Sequence, residues 1–180
     1  MYGIRPFLTS GAVTGLCFGV VDAGNAQTRQ AIGELLDDAW VQNEYNLLNR
    51  AHEQGLLRLC DAYGIGYAPF SPMAGGLLSG KYLRDEPPPP DSRLSLRPEG
   101  HLRSQSFFDG IEQLEREAAR RGCNTGALTL AWVMSHPQVT AAICGPSRHA
   151  EHLGLARQAL TIELDESART RIGNWFKTND

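Results

Sequence analysis

The sequence predicts an α/β fold built on parallel strands. Two observations carry that prediction. Three short runs have strand character, "WVQNEY" (40–45), "IGYAPF" (65–70) and "VTAAIC" (139–144), and helical stretches lie between and after them. Strands that alternate with helices are joined by crossovers, and crossovers make their neighbours parallel. In such sheets ligands meet the chain at the carboxyl ends of the strands. Those ends read "QNEYN", "FSPMAGG" and "GPSR", all rich in small or hydrogen-bonding residues, which points to one shared site.

Each element has its own local signature. From Gln27 to Trp40, Ile32, Leu35, Leu36 and Ala39 recur at helical spacing, with Asn25 placed to cap the helix. A second helix is expected over 53–63, with Leu56, Leu57 and Cys60 turned inward and Gly64 ending it. Residues 83 to 105 contain "EPPPPDSR" and few apolar side chains, so a long loop is expected there. Loops of that length in compact domains usually cover a site or are disordered. Helices follow near 107–121 and 125–135, separated by Gly122, and then near 149–160 and 165–176, the last started by Asp165. There is no internal repeat.

Composition excludes several classes. A chain of 180 residues is long enough for one domain that buries roughly 70% of its unfolded surface. The net charge of −3 argues against nucleic acid as a partner. Arg116, Arg120 and Arg121 are interleaved with Glu112, Glu115 and Glu117, the pattern of a solvated helix face. Cys17, Cys60, Cys123 and Cys144 form no C-x-x-C pair, so neither a disulfide scaffold nor a zinc site is expected, and a reducing cytoplasm is the expected location. The apolar stretch "GAVTGLCFGVV" (11–21) is too short to span a bilayer, so no membrane association is expected. It follows Arg5 as a signal peptide would, but it is glycine-rich and lacks an A-x-A cleavage site.

The segment "AGGLLSGKY" (74–82) matches most of a P-loop, since Gly75, Gly80 and Lys81 fit G-x-x-x-x-G-K. Tyr82 stands where the magnesium-binding Ser or Thr belongs, and a proline-rich loop follows instead of a helix. A metal-dependent NTPase is therefore not expected. "HAEH" (149–152) lacks the H-E-x-x-H order of zinc proteases, there is no G-x-S-x-G elbow, and Cys144 has no neighbouring base. Asp37 and Asp38 point to different helix faces and do not form an acid–base pair. No metal site is expected.

Three segments together resemble the aldo-keto reductases: "VQNEYNLLNR" (41–50), "GIGYAPFSPMAGGLLSGKY" (64–82) and "LAWVMSHPQVTAAICGPS" (130–147). Their order, spacing and the paired helices before the last strand all fit, over about residues 40 to 176. The most similar branch includes bacterial glyceraldehyde-phosphate reductases and the β subunits of potassium channels. The resemblance implies an α/β, partial (β/α)8 TIM barrel, strands six to eight with their helices. It leaves residues 1–39 unassigned, as a segment that could hold a divergent β/α unit. A whole barrel takes roughly 250 residues. The resemblance also implies NADP(H) as cofactor, held in an extended pose without a Rossmann fold.

By resemblance, Gln42 bonds the nicotinamide carboxamide and Phe70 stacks on the nicotinamide ring. Read without the resemblance, the first is a polar strand end and the second a core aromatic. Ser71, Pro72, Met73, Ala74, Gly75 and Leu77 would lie along the pyrophosphate, where glycine lets backbone approach a ligand closely. Lys81 would direct charge toward the phosphates and Arg93 would close over the cofactor; the plain alternative for both is solvent exposure. Gly145 and Ser147 match positions near the adenosine phosphate, and Arg148 would pair with a 2′-phosphate, favouring NADPH over NADH. His152, Leu155 and Ala156 align with the family's adenine-gripping Gln, Glu and Asn, so two of those three contacts look lost.

The family's catalytic Asp, Tyr, Lys and His come from its first four strands. Residues 1–40 hold Tyr2 but no lysine and no histidine, so no catalytic residue is assigned. Val21 and Asp22 stand where the fifth strand normally carries a Ser-Asn pair. The expected function is an aldo-keto reductase that keeps the NADP(H)-binding half but lacks the catalytic tetrad. Such a chain would act on a small carbonyl substrate only when completed by an N-terminal half. The alternative is a non-catalytic nucleotide- or partner-binding module, or a remnant without activity. Unpaired strand edges would then favour self-association.

Overall fold

The computed structural model describes residues 16–19, 39–90, 92–96, 104–145 and 150–176. The helix expected at Gln27–Trp40, and the positions Val21, Asp22, Ser147 and Arg148, lie outside the described residues, apart from the strand that begins at Ala39. Three parallel strands form one sheet in chain order: β1 (Leu16–Gly19), β2 (Ala39–Gln42) and β3 (Gly66–Tyr67). β1 pairs Leu16 with Ala39 through to Gly19 with Gln42. The resemblance leaves room for a divergent β/α unit here, but four residues beside glycine show no period-two alternation that would place the strand.

β2 and β3 are shorter than their sequence runs, yet their pairing continues. Ala68 N–H donates to Val41 C=O at 2.8 Å and Phe70 N–H to Asn43 C=O at 2.9 Å. Pro69, between them, has no N–H to give. The strand expected at 139–144 is reduced to a parallel bridge from Val139 to Tyr67. Thr140 N–H to Tyr67 C=O (2.9 Å) and Ile143 N–H to Pro69 C=O (2.8 Å) still lay it along β3. This segment is largely exposed, so burial does little to hold it in a regular ladder.

The helices are α1 (Leu56–Tyr63), α2 (Arg93–Leu96), α3 (Gln105–Arg121), α4 (Thr125–Met134), α5 (Ala150–Ala159) and α6 (Glu166–Gly173). α1 buries Leu56, Leu57 and Cys60 and stops at Gly64, whose φ of 64° is a left-handed cap. It starts three residues later than the sequence suggests, because Ala51–Gln54 forms a separate 3-10 turn and Gly55 leaves helical geometry. The side chains of Ser104, Asn124 and Asp165 cap α3, α4 and α6 by accepting backbone N–H groups. α2 interrupts the loop expected at 83–105, and Arg84 ties the start of that loop to α3 through Asp109 (2.6 Å) and Glu112 (2.8 Å).

Successive strand residues face opposite sides of a sheet. Val41, Tyr45 and Tyr67 turn to the helices, where Leu57, Leu114, Leu128 and Trp132 complete a core almost without solvent contact. Trp40 and Gly66 face the other way. A Cβ at Gly66 would lie 2.8 Å from the Trp40 ring, so this close seating of β2 on β3 needs glycine.

Polar groups join the layers. Tyr45 OH donates to Glu53 Oε1 at 2.6 Å, Arg169 Nη2 donates to the same oxygen at 2.7 Å, and Arg169 also bonds the Tyr45 hydroxyl. Trp132 Nε1 donates to Arg169 C=O at 2.8 Å, while its ring stacks on Tyr45 and carries the Arg169 cation 4.8 Å from a ring centroid. Burial alone would raise the Glu53 carboxyl, but the bonds from Tyr45 and Arg169 outweigh it and hold the group below the usual range. Arg169→Met should therefore cost about 2–3 kcal/mol by leaving Glu53 uncompensated, read as a lower midpoint in urea unfolding.

Glu117 on α3 makes a second node. Its hydrogen bonds from Arg120 (2.6 and 2.9 Å) come first in holding its carboxyl down to about 2, those from Arg121 add to them, and burial opposes both. An unfolded glutamate titrates near about 4.3. The stabilisation is thus complete above that pH and is lost as pH falls toward 2. Glu117→Gln should destabilise by about 1–2 kcal/mol at pH 7, and thermal melts of variant and parent should converge as the pH approaches 2.

Candidate functional site

β2, β3 and the 139–145 segment run parallel, so their carboxyl ends lie side by side. Gln42 ends β2, half-buried on the face that Trp40 shares, opposite the described helices. Phe70 pairs with Glu44 one strand over and is 41% exposed, so it lies outside the buried core. The bond from Ile143 to Pro69 carries the exposed Gly145 toward the same rim. The structure thus brings Gln42, Phe70, Ser71 and Gly145 to neighbouring strand ends.

From Ser71 the backbone turns sharply. Ser71 has φ 53° and Ala74 φ 48°, left-handed values that a residue with a Cβ adopts at a cost of about 1 kcal/mol or more. Gly75 (66°), Gly76 (92°) and Gly80 (81°) take the same region without that penalty. Ala74–Ser79 forms a kinked 3-10 segment across these glycines. Leu77 and Leu78 anchor it, both buried, so Leu77 can offer a ligand only its main chain. Pro72 is buried and Met73 half-buried, the latter packed toward Gly126 on α4.

Lys81 folds back over this segment. A Cβ at Gly76 would come within 3.2 Å of the Lys81 ammonium, which sits 5.1 Å from the Tyr82 ring centroid. The missing side chain at Gly76 therefore leaves room for a cation above a glycine-rich backbone. That arrangement is suited to an anion. Tyr82, in the P-loop's Ser/Thr position, is 3% exposed and belongs to the core.

Arg93 opens α2 in the loop, and His152 lies in α5. Leu155 and Ala156, aligned with adenine contacts, pack against the cluster of Ala127, Leu130, Ala131 and Ala159. Their apolar character is thus explained by helix packing. Two clefts among the described residues lie elsewhere. One is lined by Tyr82, Leu83, Pro87, Pro88 and Phe108 with the carboxylates Asp85 and Glu86, and another by Glu166, Arg171 and Trp175 with their neighbours on α6. Two carboxylates make the first a poor place for phosphate, so the strand ends are the better candidate site.

Burial pushes the Tyr45 phenol far up despite the opposing Arg169 charge, and burial does the same to Tyr67, whose hydroxyl lies 3.2 Å from His52 Nδ1. Both are structural phenols on the helix-facing side. Among the described residues, no three His, Cys, Asp or Glu side chains are grouped to hold a metal ion, and no helix is long and apolar enough to cross a membrane.

Residues 11–174 match the model of the aldo/keto reductase family. The chain belongs to that family. The match begins well before residue 40, where the motif likeness started, and takes in β1. Among its relatives, L-glyceraldehyde 3-phosphate reductase of Escherichia coli O157:H7 is 35% identical over 140 residues, 71% of this chain and 39% of that protein. A probable voltage-gated potassium channel subunit beta of Oryza sativa subsp. japonica is 35% identical over 112 residues, 59% of this chain and 34% of its own length. Both parts of the expected branch are therefore represented. The solved structure of the glycerol dehydrogenase AKR11B4 from Gluconobacter oxydans is similar in fold, with a TM-score of 0.62 at 20% identity over 76% of this chain and 41% of that one. The chain spans about two fifths or less of the length of each of these proteins.

Asn46, one polar residue among several in 41–50, and Thr129, inside an apolar helix, carry no local signal of a role in the sequence. The left-handed segment itself can be probed directly. Ala74→Gly should leave stability unchanged or raise it by up to about 1 kcal/mol, whereas Gly76→Ala should lower it by about 1 kcal/mol or more. Paired thermal melts check the contrast.

Proposed function

We propose that this chain supplies the nucleotide-holding part of an NADP(H)-dependent carbonyl reductase barrel. In this reading β2, β3 and the 139–145 segment are strands six to eight, and β1 takes the fifth place. The observation that carries it is the meeting of Gln42, Phe70 and Gly145 at adjacent strand ends, beside a left-handed glycine-rich turn overlain by Lys81.

The residues present fit such a ligand. Gln42 has a side-chain amide to bond the nicotinamide carboxamide, and Phe70 has an exposed ring face to orient the nicotinamide. Backbone from Ser71 to Leu77, with Lys81, would meet the pyrophosphate, and Arg148 would meet a 2′-phosphate. Bound there, the cofactor supplies a hydride for reduction of an aldehyde or ketone. In this reading Tyr45 and Tyr67, held as buried phenols, are scaffold, and the proton comes from a general acid on another part of the barrel. A complementing half that carries the catalytic tetrad would provide it. Assembly of the two halves would also cover the face of Trp40, Gln42 and Phe70.

A second reading, a nucleotide- or partner-binding module without catalysis, is favoured by the exposure of Phe70 and Ile143 on that same open face. One titration addresses both. Addition of the chain to NADPH should change the cofactor's fluorescence saturably, and Lys81→Met should weaken binding about fivefold, as expected for loss of one partly exposed charge contact. Absence of any change at millimolar NADPH would remove both nucleotide readings. Binding without reduction of a carbonyl substrate panel, in the presence of a family N-terminal half, would favour the second.

A further inference from the structure

Two buried side chains outside the proposed ligand contacts grip the two ends of the glycine-rich segment. At its start, Asn46 is 1% exposed and fully engaged. Its Oδ1 accepts from Leu48 N–H (2.9 Å) and Asn49 N–H (3.0 Å), while Nδ2 donates to Glu44 Oε1 (3.2 Å) and to Ser71 C=O (3.0 Å). The Ser71 carbonyl also accepts from Ala74 N–H at 2.9 Å. Asn46 is thus locked by its own turn and projects one rigid donor onto the left-handed residue that opens the segment. At the far end, Thr129 is fully buried in α4, and its Oγ1 lies 2.8 Å from Leu78 C=O and 3.0 Å from Thr125 C=O. A hydroxyl has one proton, and the shorter contact goes to Leu78. Gly80 rests on Thr125, where a Cβ would come within 3.0 Å of that side chain.

A non-glycine residue stays left-handed only when its surroundings over-determine it. We propose that Asn46 and Thr129 are positioning residues: together they clamp the carbonyls of Ser71 and Leu78, hold the segment in its strained turn, and so preset its backbone for phosphate. The inference rests on the nucleotide reading above for what the segment binds, but the clamp itself can be measured without a ligand.

The experiment combines amide hydrogen exchange over residues 72–80 with NADPH fluorescence titration on the full chain. Asn46→Asp keeps the Oδ1 acceptor, removes the donor to both Ser71 and Glu44 and sets a second carboxyl beside Glu44, so its effect is an upper bound on the Ser71 contact; Thr129→Val removes the hydroxyl at nearly constant volume. Thr129→Val should raise exchange in 72–80 about tenfold, the net worth of one hydrogen bond, and Asn46→Asp by at least that factor, while α1 and α3 stay protected; NADPH binding should weaken in the same order. Thr129→Ser keeps the hydroxyl and should behave as the parent. Ser71→Gly, added to Asn46→Asp, should restore most of the protection, because glycine needs no clamp to hold φ near 53°. Unchanged exchange in 72–80, or loosening spread through α1 and α3 and not rescued by Ser71→Gly, overturns the proposal. If Asn46→Asp does not fold, the Thr129→Val and Thr129→Ser pair decides. If the parent binds no NADPH, the nucleotide reading falls, and the exchange pattern still decides the clamp.

Discussion

Arg169 joins the layers of this structure through one guanidinium. Its cation lies on the Trp132 ring, Nη2 bonds Glu53 and the Tyr45 hydroxyl, and its carbonyl accepts from the Trp132 indole. The end of β2, the turn at 51–54, α4 and α6 therefore share one set of bonds. A charge so little exposed is tolerable only because a carboxylate and an aromatic face both receive it. The same cluster explains why Tyr45 serves as scaffold: its hydroxyl is fully committed, and burial holds its proton in place.

That rigid side of the sheet supports a less favourable one. On the helix face, apolar side chains fill the space and the strands are held by burial. At the carboxyl ends, Ser71 and Ala74 adopt left-handed backbone, and the ring of Phe70 is open to solvent. Strain and exposed aromatic surface both oppose folding, and they occur together where the parallel strands end. The well-packed α4 counters them, since Leu78 is buried against it and Thr129 bonds the Leu78 carbonyl. Stability made in the core is thereby used to hold a ligand-ready backbone at the rim.

Much of this was legible in the chain because it depends on neighbours in sequence. Helix spacing placed Leu56, Leu57 and Cys60, and a left-handed glycine at 64 or 122 ends a helix whatever surrounds it. The caps at Asn124 and Asp165 are equally local. For β1 the family likeness left room, but its bounds were not legible, since Leu16–Gly19 carries no alternation and becomes a strand only by pairing with β2. The segment at 139–144 erred in the other direction, because its strand-like composition does not secure a full ladder along an exposed edge.

The sequence by itself determined the α/β class, the family and the stretch that turns at the strand ends, since spacing and glycine placement are properties of the chain alone. Tertiary structure decided which side chains do what. Leu77 became core, Phe70 stayed open, and Lys81 came to lie over Gly76. Asn46 and Thr129 reached carbonyls 25 and 51 residues away. Those roles depend on distances between segments remote in sequence, which packing sets and local pattern does not.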